Sequence, residues 1–212
     1  MLSDLEEGEK VVNTICASGF PDDRYLVFCT RRGLIKKTAL SAYGNVRARG
    51  IKAIKLEEGD ELIETAITEG DEQIIIASAD GLAVRFDESD ARAMGRDTMG
   101  VKGMTLNSGD SVVSMAVVRP GDRLLTVSEN GYGKISDVDD YRKTRRGGKG
   151  VITIKTDDRN GKVVSVRKVN VGDQLMLTSA SGKIIRMNTD EIRETGRNAK
   201  GVRIMDLRDN DK

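Results

Sequence analysis

Arg96, Arg146 and Arg197 each stand four positions ahead of a glycine, Gly100, Gly150 and Gly201, that opens a short apolar run. One position ahead of such a glycine come Arg49, Lys149 and Lys200, and two positions after it come Lys52, Lys102 and Arg203. Each series has one gap: Val46, followed by Arg47, then Met99 and Ile152. Cations returning at equivalent places suit the neutralisation of a row of phosphates. The stretch YRKTRRGGKG, residues 141–150, is the densest, with Arg142, Lys143, Arg145, Arg146 and Lys149 around Gly147 and Gly148. Two residues without β-carbons let the backbone approach a phosphate and offer it N–H groups, though paired glycines equally suit a sharp turn. The GxxxxGK[ST] spacing of a nucleotide-binding loop is absent.

Composition excludes most other chemistry. The 212 residues hold no histidine, which removes Ser-His-Asp and Cys-His catalysis, the iron facial triad and most catalytic zinc sites. Tyr132 and Tyr141 read as packing or surface residues, and Asp137, Asp139 and Asp140 as turn and cap carboxylates, since the EF-hand spacing is missing. Cys16 and Cys29 make no disulfide framework and read as reduced. No apolar run reaches the length of a membrane span and the acidic start is unlike a signal peptide, so the expected compartment is the cytoplasm. Lys and Arg number 35 against 34 Asp and Glu, a near balance that conceals segregation. Acid collects in EEGDE at 57–61, in EGDE at 69–72 and at Asp157 and Asp158, whereas base collects on the long loops.

The elements that position these loops repeat every 50 residues or so. The strand glycines Gly50, Gly100, Gly150 and Gly201 are preceded by Gly33, Gly81, Gly131 and Gly182, and by acidic turns in PDDRYLVF, EGDEQIII, PGDRLLTV and VGDQLMLT. Within a period the patterns LIETAIT, QIIIAS and LAVRF read as strands, with Asp80–Gly81 and Asn130–Gly131 expected to form two-residue hairpin turns. A connection of about 15 residues leads to the strand at the last glycine. Such units cannot cover their own apolar faces and must stack. The expectation is an all-β, propeller-like domain of four blades of four antiparallel strands, at about 8–56, 57–106, 107–156 and 157–207, in preference to two β-sandwiches.

The segment RRGGKG, preceded by ENGYGKI and followed by GVITIK and RNGKVV, resembles the box motif of the DNA gyrase A C-terminal domain. GLIKKTALSAY, VRFDESDARAMGR, TMGVKGMTL and GRNAKGVRIMDL are similar to that family as well, so the resemblance spans all four repeats. It implies a β-pinwheel whose outer edge binds and bends duplex DNA. The holoenzyme then introduces negative supercoils with ATP and Mg2+ used elsewhere. It also implies partnership with the breakage-reunion domain of the same polypeptide and with the gyrase B protein, and no catalytic group or cofactor here. The family's box lies in the first blade of six, whereas the best match here lies in the third repeat. The opening LSDLEEGEKVV resembles the end of an earlier blade, so a partial domain is expected. The site expected by this match is Arg145, Arg146, Gly147, Gly148, Lys149 and Gly150, joined by Arg142, Lys143 and the equivalent cations Arg47, Arg49, Lys52, Arg96, Lys102, Arg197, Lys200 and Arg203. RRGGKG favours gyrase over the related topoisomerase IV, and a protein-interaction scaffold is the alternative of another class. Only seven aromatic residues are present, too few for a single-strand stacking platform, so duplex is the expected partner.

Overall fold

A computed structural model describes residues 9–45, 50–207 and 211. It contains fourteen strands: β1 (Tyr25–Thr30), β2 (Leu34–Ala39), β3 (Leu62–Thr68), β4 (Gln73–Ser78), β5 (Leu82–Asp87), β6 (Val101–Lys102), β7 (Val112–Val118), β8 (Arg123–Ser128), β9 (Tyr132–Asp137), β10 (Val151–Ile152), β11 (Val163–Val169), β12 (Gln174–Thr178), β13 (Ile184–Asn188) and β14 (Val202–Arg203). They form sheets in the orders β3-β1-β2-β6, β10-β5-β4-β7 and β11-β8-β9-β14, with β12-β13 as a fourth. Every paired strand is antiparallel.

Sheet membership does not follow the sequence repeat. A blade drawn at 57–106 gives its hairpin β4–β5 to one sheet, while its outer strands β3 and β6 flank the preceding hairpin β1–β2. The next repeat does the same: β7 and β10 flank β4–β5, and β11 and β14 flank β8–β9. Each hairpin is thus completed by the first and last strands of the repeat that follows it. Among the described residues β12–β13 has no such pair, which is why its sheet has two strands rather than four.

The recurring glycines are the points where consecutive repeats touch. Gly150 has φ +82°, and a β-carbon there would overlap the carbonyl of Ala83 on β5. Gly81, φ +85°, faces the Ile154 carbonyl in the same way from the other side. Between β4 and β5 lie three residues, 79–81, instead of the expected two, and the Gly81 N–H donates to the Ser78 carbonyl at 3.1 Å. A tight turn followed by a left-handed glycine matches the right-handed twist of the strands, so the glycine is required at the last loop position.

The core lies in the seams between sheets. Val27, Ile35, Ile74 and Phe86 fill the first seam, Ile75, Leu124, Tyr141 and Val166 the second, and Leu125, Ile135, Ile192 and Ile204 the third. Cys29 is buried in the first seam and Cys16 is exposed, both as free thiols.

Two lysines are sealed into these seams. Lys36 donates to the carbonyls of Ala53 and Arg96, and Lys134 to Ser136 Oγ and the Gly196 carbonyl, so each fastens a hairpin to the long loop of the next repeat. Burial pulls both ammonium groups down to about 8. Between that value and the ordinary 10.5 these two groups hold more protons in the unfolded chain than in the folded one, so their contribution to stability rises with pH across this window and is constant below it. Lys134→Met should therefore make the change in melting temperature from pH 8 to pH 10 less positive than in the unaltered chain. Thermal melts of both proteins at the two pH values check this, and an equal change in the two would contradict it.

Candidate nucleic-acid interface

The long loops of the second, third and fourth repeats are each mounted on the preceding hairpin. After a 3-10 turn each loop buries one apolar residue, Ala91, Tyr141 or Ile192. It then makes a single parallel bridge, Ala93 with Lys37, Lys143 with Arg85, and Glu194 with Ile135. The next N–H reinforces this: Met94 donates to the Lys37 carbonyl at 2.9 Å, and Thr144 and Thr195 donate to those of Arg85 and Ile135 at 2.8 Å. Arg85 anchors the third loop further, donating from Nη1 to the carbonyls of Val138 and Tyr141. Asp137 and Asp139 serve the same turn, accepting from the Asp139 and Gly121 N–H groups, as cap and turn carboxylates do.

This scaffold divides the expected site residues by task. Arg146 donates from Nε to the Asp90 carbonyl at 2.9 Å and from Nη1 to the Lys102 carbonyl at 3.0 Å. Arg197 repeats the clamp on Asp140 and Ile152, at 3.1 and 2.9 Å. These guanidinium groups stitch one repeat to the next. The box glycines are spent similarly: the Gly147 N–H donates to the Gly103 carbonyl at 2.6 Å, and Thr105 donates to the carbonyls of both Gly147 and Gly148. Gly147, at φ +83°, answers to turn geometry, and Gly150 to its packing on β5. Arg146→Ala should cost about 1–3 kcal/mol by orphaning two carbonyls. Urea titration checks the loss, and unaltered stability would contradict the clamp.

The remaining cations of the third loop face outward. Arg142, Arg145 and Lys149 are exposed and have no carboxylate partner among the described residues. They line a groove of about 340 Å3 with Thr144, Gly148 and Gly150, floored by Ala83 and Val84. A second hollow of about 660 Å3, between the first repeat and the second, is lined by Lys52, Arg96 and Asp97 among others. Lys102 is exposed on β6. Arg47 and Arg49 lie outside the described residues.

Other expected contacts carry an acidic neighbour. Lys143 meets Asp87 at 2.9 Å, Lys52 meets Asp97 at 3.7 Å, Lys200 meets Asp157, and Arg203 meets Asp206 at 3.0 Å. All are solvent-exposed pairs worth little, so each cation can exchange its carboxylate for a phosphate. Arg203 also donates to the Tyr132 hydroxyl at 3.2 Å, and Arg159 stacks 4.8 Å from that ring. Hydrogen bonds from Arg159 and then Arg203 push the phenol below its ordinary range.

Arg92 and Arg193 escaped the sequence reading. They share the register of Arg142, each directly follows the buried loop residue, and each is exposed without a carboxylate partner among the described residues. The step of 50 and 51 residues from Arg142 was the available signal. Several cations elsewhere are bound to acid: Arg119 reaches Glu69, Asp71 and Glu72, Lys168 pairs with Asp122, and Lys162 with Asp80. Several acids of the repeated turns cap backbone instead, as when Asp60 accepts from Arg32 and Asp110 from Asp80. Arg92, Arg142, Arg145, Lys149 and Arg193 thus put exposed positive charge without a carboxylate partner among the described residues at equivalent places on successive long loops.

Among the described residues no cluster of three metal-ligating side chains occurs, and no helix is long and apolar enough to cross a membrane. The profile of a family described as "DNA gyrase C-terminal domain, beta-propeller" matches residues 24–69, 72–119, 122–170 and 173–212. The DNA gyrase A protein of Clostridium acetobutylicum is 50% identical over 204 residues, covering 96% of this chain and 25% of the relative. That of Deinococcus deserti is 40% identical over 216 residues, covering 100% and 27%. The chain thus spans about a quarter of these relatives. A solved DNA gyrase A C-terminal domain superposes with a TM-score of 0.89 at 32% identity, covering 99% of this chain and 70% of that one. The C-terminal domain of DNA topoisomerase IV follows at 0.88 and 25%, covering 95% and 64%. Four profile matches in tandem, with β-pinwheel neighbours over nearly the full length, show that this chain belongs to the DNA gyrase C-terminal domain family.

Proposed function

We propose that the chain binds the backbone of duplex DNA along its long loops and bends it, as the C-terminal part of a DNA gyrase A protein. The observation that carries this reading is the contrast in pairing. Arg92, Arg142, Arg145, Lys149 and Arg193 stand without carboxylate partners among the described residues, while Arg119, Lys168 and Lys162 are held by acids of the turns. Bending a site of 20 to 30 base pairs costs on the order of 1–6 kcal/mol, which a series of phosphate contacts offsets. In the intact enzyme this part holds the duplex in support of ATP-dependent negative supercoiling. The breakage-reunion domain, the gyrase B protein, ATP and Mg2+ supply the reaction itself. Identity to the gyrase relatives, higher than to the topoisomerase IV domain, favours the gyrase assignment.

Fluorescence anisotropy on a labelled duplex tests the proposal. With six to ten phosphate contacts, affinity should fall by about 10³ to 10⁵ between 50 and 200 mM salt, with little dependence on base sequence. A flat salt response, or no binding at low salt, favours a protein-interaction scaffold instead.

A further inference from the structure

Three departures from the repeat coincide at the start of β9. The strand opens on Tyr132, where β2 and β5 open on Leu34 and Leu82. Its cross-strand partner on β14 is Arg203. The turn packed beside it is one residue longer than its counterparts: the Gly161 N–H donates back to the Asp157 carbonyl, where Asp60 donates to Glu57 and Asp110 to Asn107. The longer turn carries Arg159, whereas the two shorter ones, EEGDE and NSGDS, carry no cation.

The three changes meet on one ring. Arg159 lies 4.8 Å and Arg203 5.5 Å from the centre of Tyr132, and Arg203 Nη2 donates to the hydroxyl at 3.2 Å. The turn that carries Arg159 is fastened on both sides. Asn130 Nδ2 donates to the carbonyls of Asp158 and Arg159 at 3.3 Å, and the Arg159 N–H donates to Asp157 Oδ1 at 3.1 Å. Asn160, fully buried, donates from Nδ2 to the carbonyls of Lys155 and Lys200 at 2.9 and 3.1 Å, which ties the turn to the fourth long loop. Two guanidinium groups held at one phenol repel each other. Asp206 pairs with Arg203, but the exposed Arg159 guanidinium has no carboxylate partner among the described residues.

We propose that one phosphodiester of duplex DNA sits between Arg159 and Arg203, with the Tyr132 ring as the platform that keeps the two groups in place. The inference rests on the duplex-binding reading and adds to it a point that fixes the DNA path where the third and fourth repeats join. Guanidinium groups bind phosphate oxygens through pairs of N–H donors, and stacking on an aromatic face uses none of those donors. Both arginines are exposed, so the site suits a phosphate carried on a polymer, whose neighbouring contacts with the long loops supply the rest of the affinity.

Salt titrations of duplex binding with Arg159→Ala, Arg203→Ala and the double variant test the proposal. Because both groups serve one phosphate, the slope of log affinity against log salt should fall by about 1 in the double variant and by less in either single one. Affinity of the double variant should drop roughly 5- to 10-fold near 0.1 M salt. Fluorine NMR of the chain labelled with 3-fluorotyrosine gives a second readout, with the Tyr132 signal assigned by its loss in Tyr132→Phe. That signal should move when duplex is added, while the signal of the buried Tyr141 stays. Circular dichroism confirms that the variants are folded. A slope lowered by about 2 means two separate phosphates and overturns the shared site. An unaltered slope, or an unmoved Tyr132 signal, overturns it as well. So does a signal that moves with inorganic phosphate alone and not with duplex, which would make this a free-anion site. An unaltered chain without salt-dependent duplex binding removes the duplex-binding reading too, whereas normal binding beside an insensitive double variant removes this site alone.

Discussion

Gly150→Ala should cost more than about 4 kcal/mol and detach the third repeat's last strand from β5. Two penalties coincide there. The residue sits at φ +82°, where an L side chain costs roughly 1–2 kcal/mol. The added methyl also points into the Ala83 carbonyl and the backbone beyond it, atoms that cannot swing aside as a flexible side chain would. Gly109 isolates the first penalty, since it has φ +79° and no atom within 4 Å of a β-carbon. Gly109→Ala should cost only about 1–2 kcal/mol. Urea denaturation of the two variants side by side measures the difference. Equal losses would mean that the strand glycines serve turn geometry alone, not contact between repeats.

The largest expected effect on binding comes from changing Arg142, Arg145 and Lys149 together to alanine. None of the three makes a carboxylate pair among the described residues, and all line one groove, so the substitution leaves the loop's mounting intact. Removing three phosphate contacts should lower the slope of log affinity against log salt by about 2 to 3, and reduce affinity about 100-fold near 0.1 M salt. Melting temperature should stay close to that of the unaltered chain. Arg146→Ala and Arg197→Ala give the converse pattern, with stability lost and the salt slope little changed. An unaltered slope in the triple variant would remove the groove from the interface.

These contrasts mark how far the sequence can be read. Strand positions and the period were legible because β4 and β5 declare themselves through a buried run and an alternating one, punctuated by Gly81. The exchange of outer strands was not, because a two-residue strand such as Val151–Ile152 has the same pattern whichever hairpin it pairs with. Only the pairing of β10 with β5 distinguishes the two. At the site, the basic loops were visible as composition in register. What each cation does was not: Arg145 and Arg146 are adjacent and chemically identical, yet one faces the groove and the other clamps two carbonyls. Arg92 and Arg193 were missed because neither lies in a glycine-rich or densely basic stretch. The lysines of β2 and β9 show the same difficulty, since the sequence reading did not single out Lys36 or Lys134, and both lie fully buried in the fold.

Amine-reactive footprinting with and without saturating duplex locates the contact surface directly. Lys149 and Lys102, on adjacent parts of the loop surface, should lose most of their reactivity when duplex is bound. Lys168 and Lys162, held by Asp122 and Asp80 at the turns, should react as before. Protection of the turn lysines with Lys149 and Lys102 left reactive would place the DNA on another face and contradict the account.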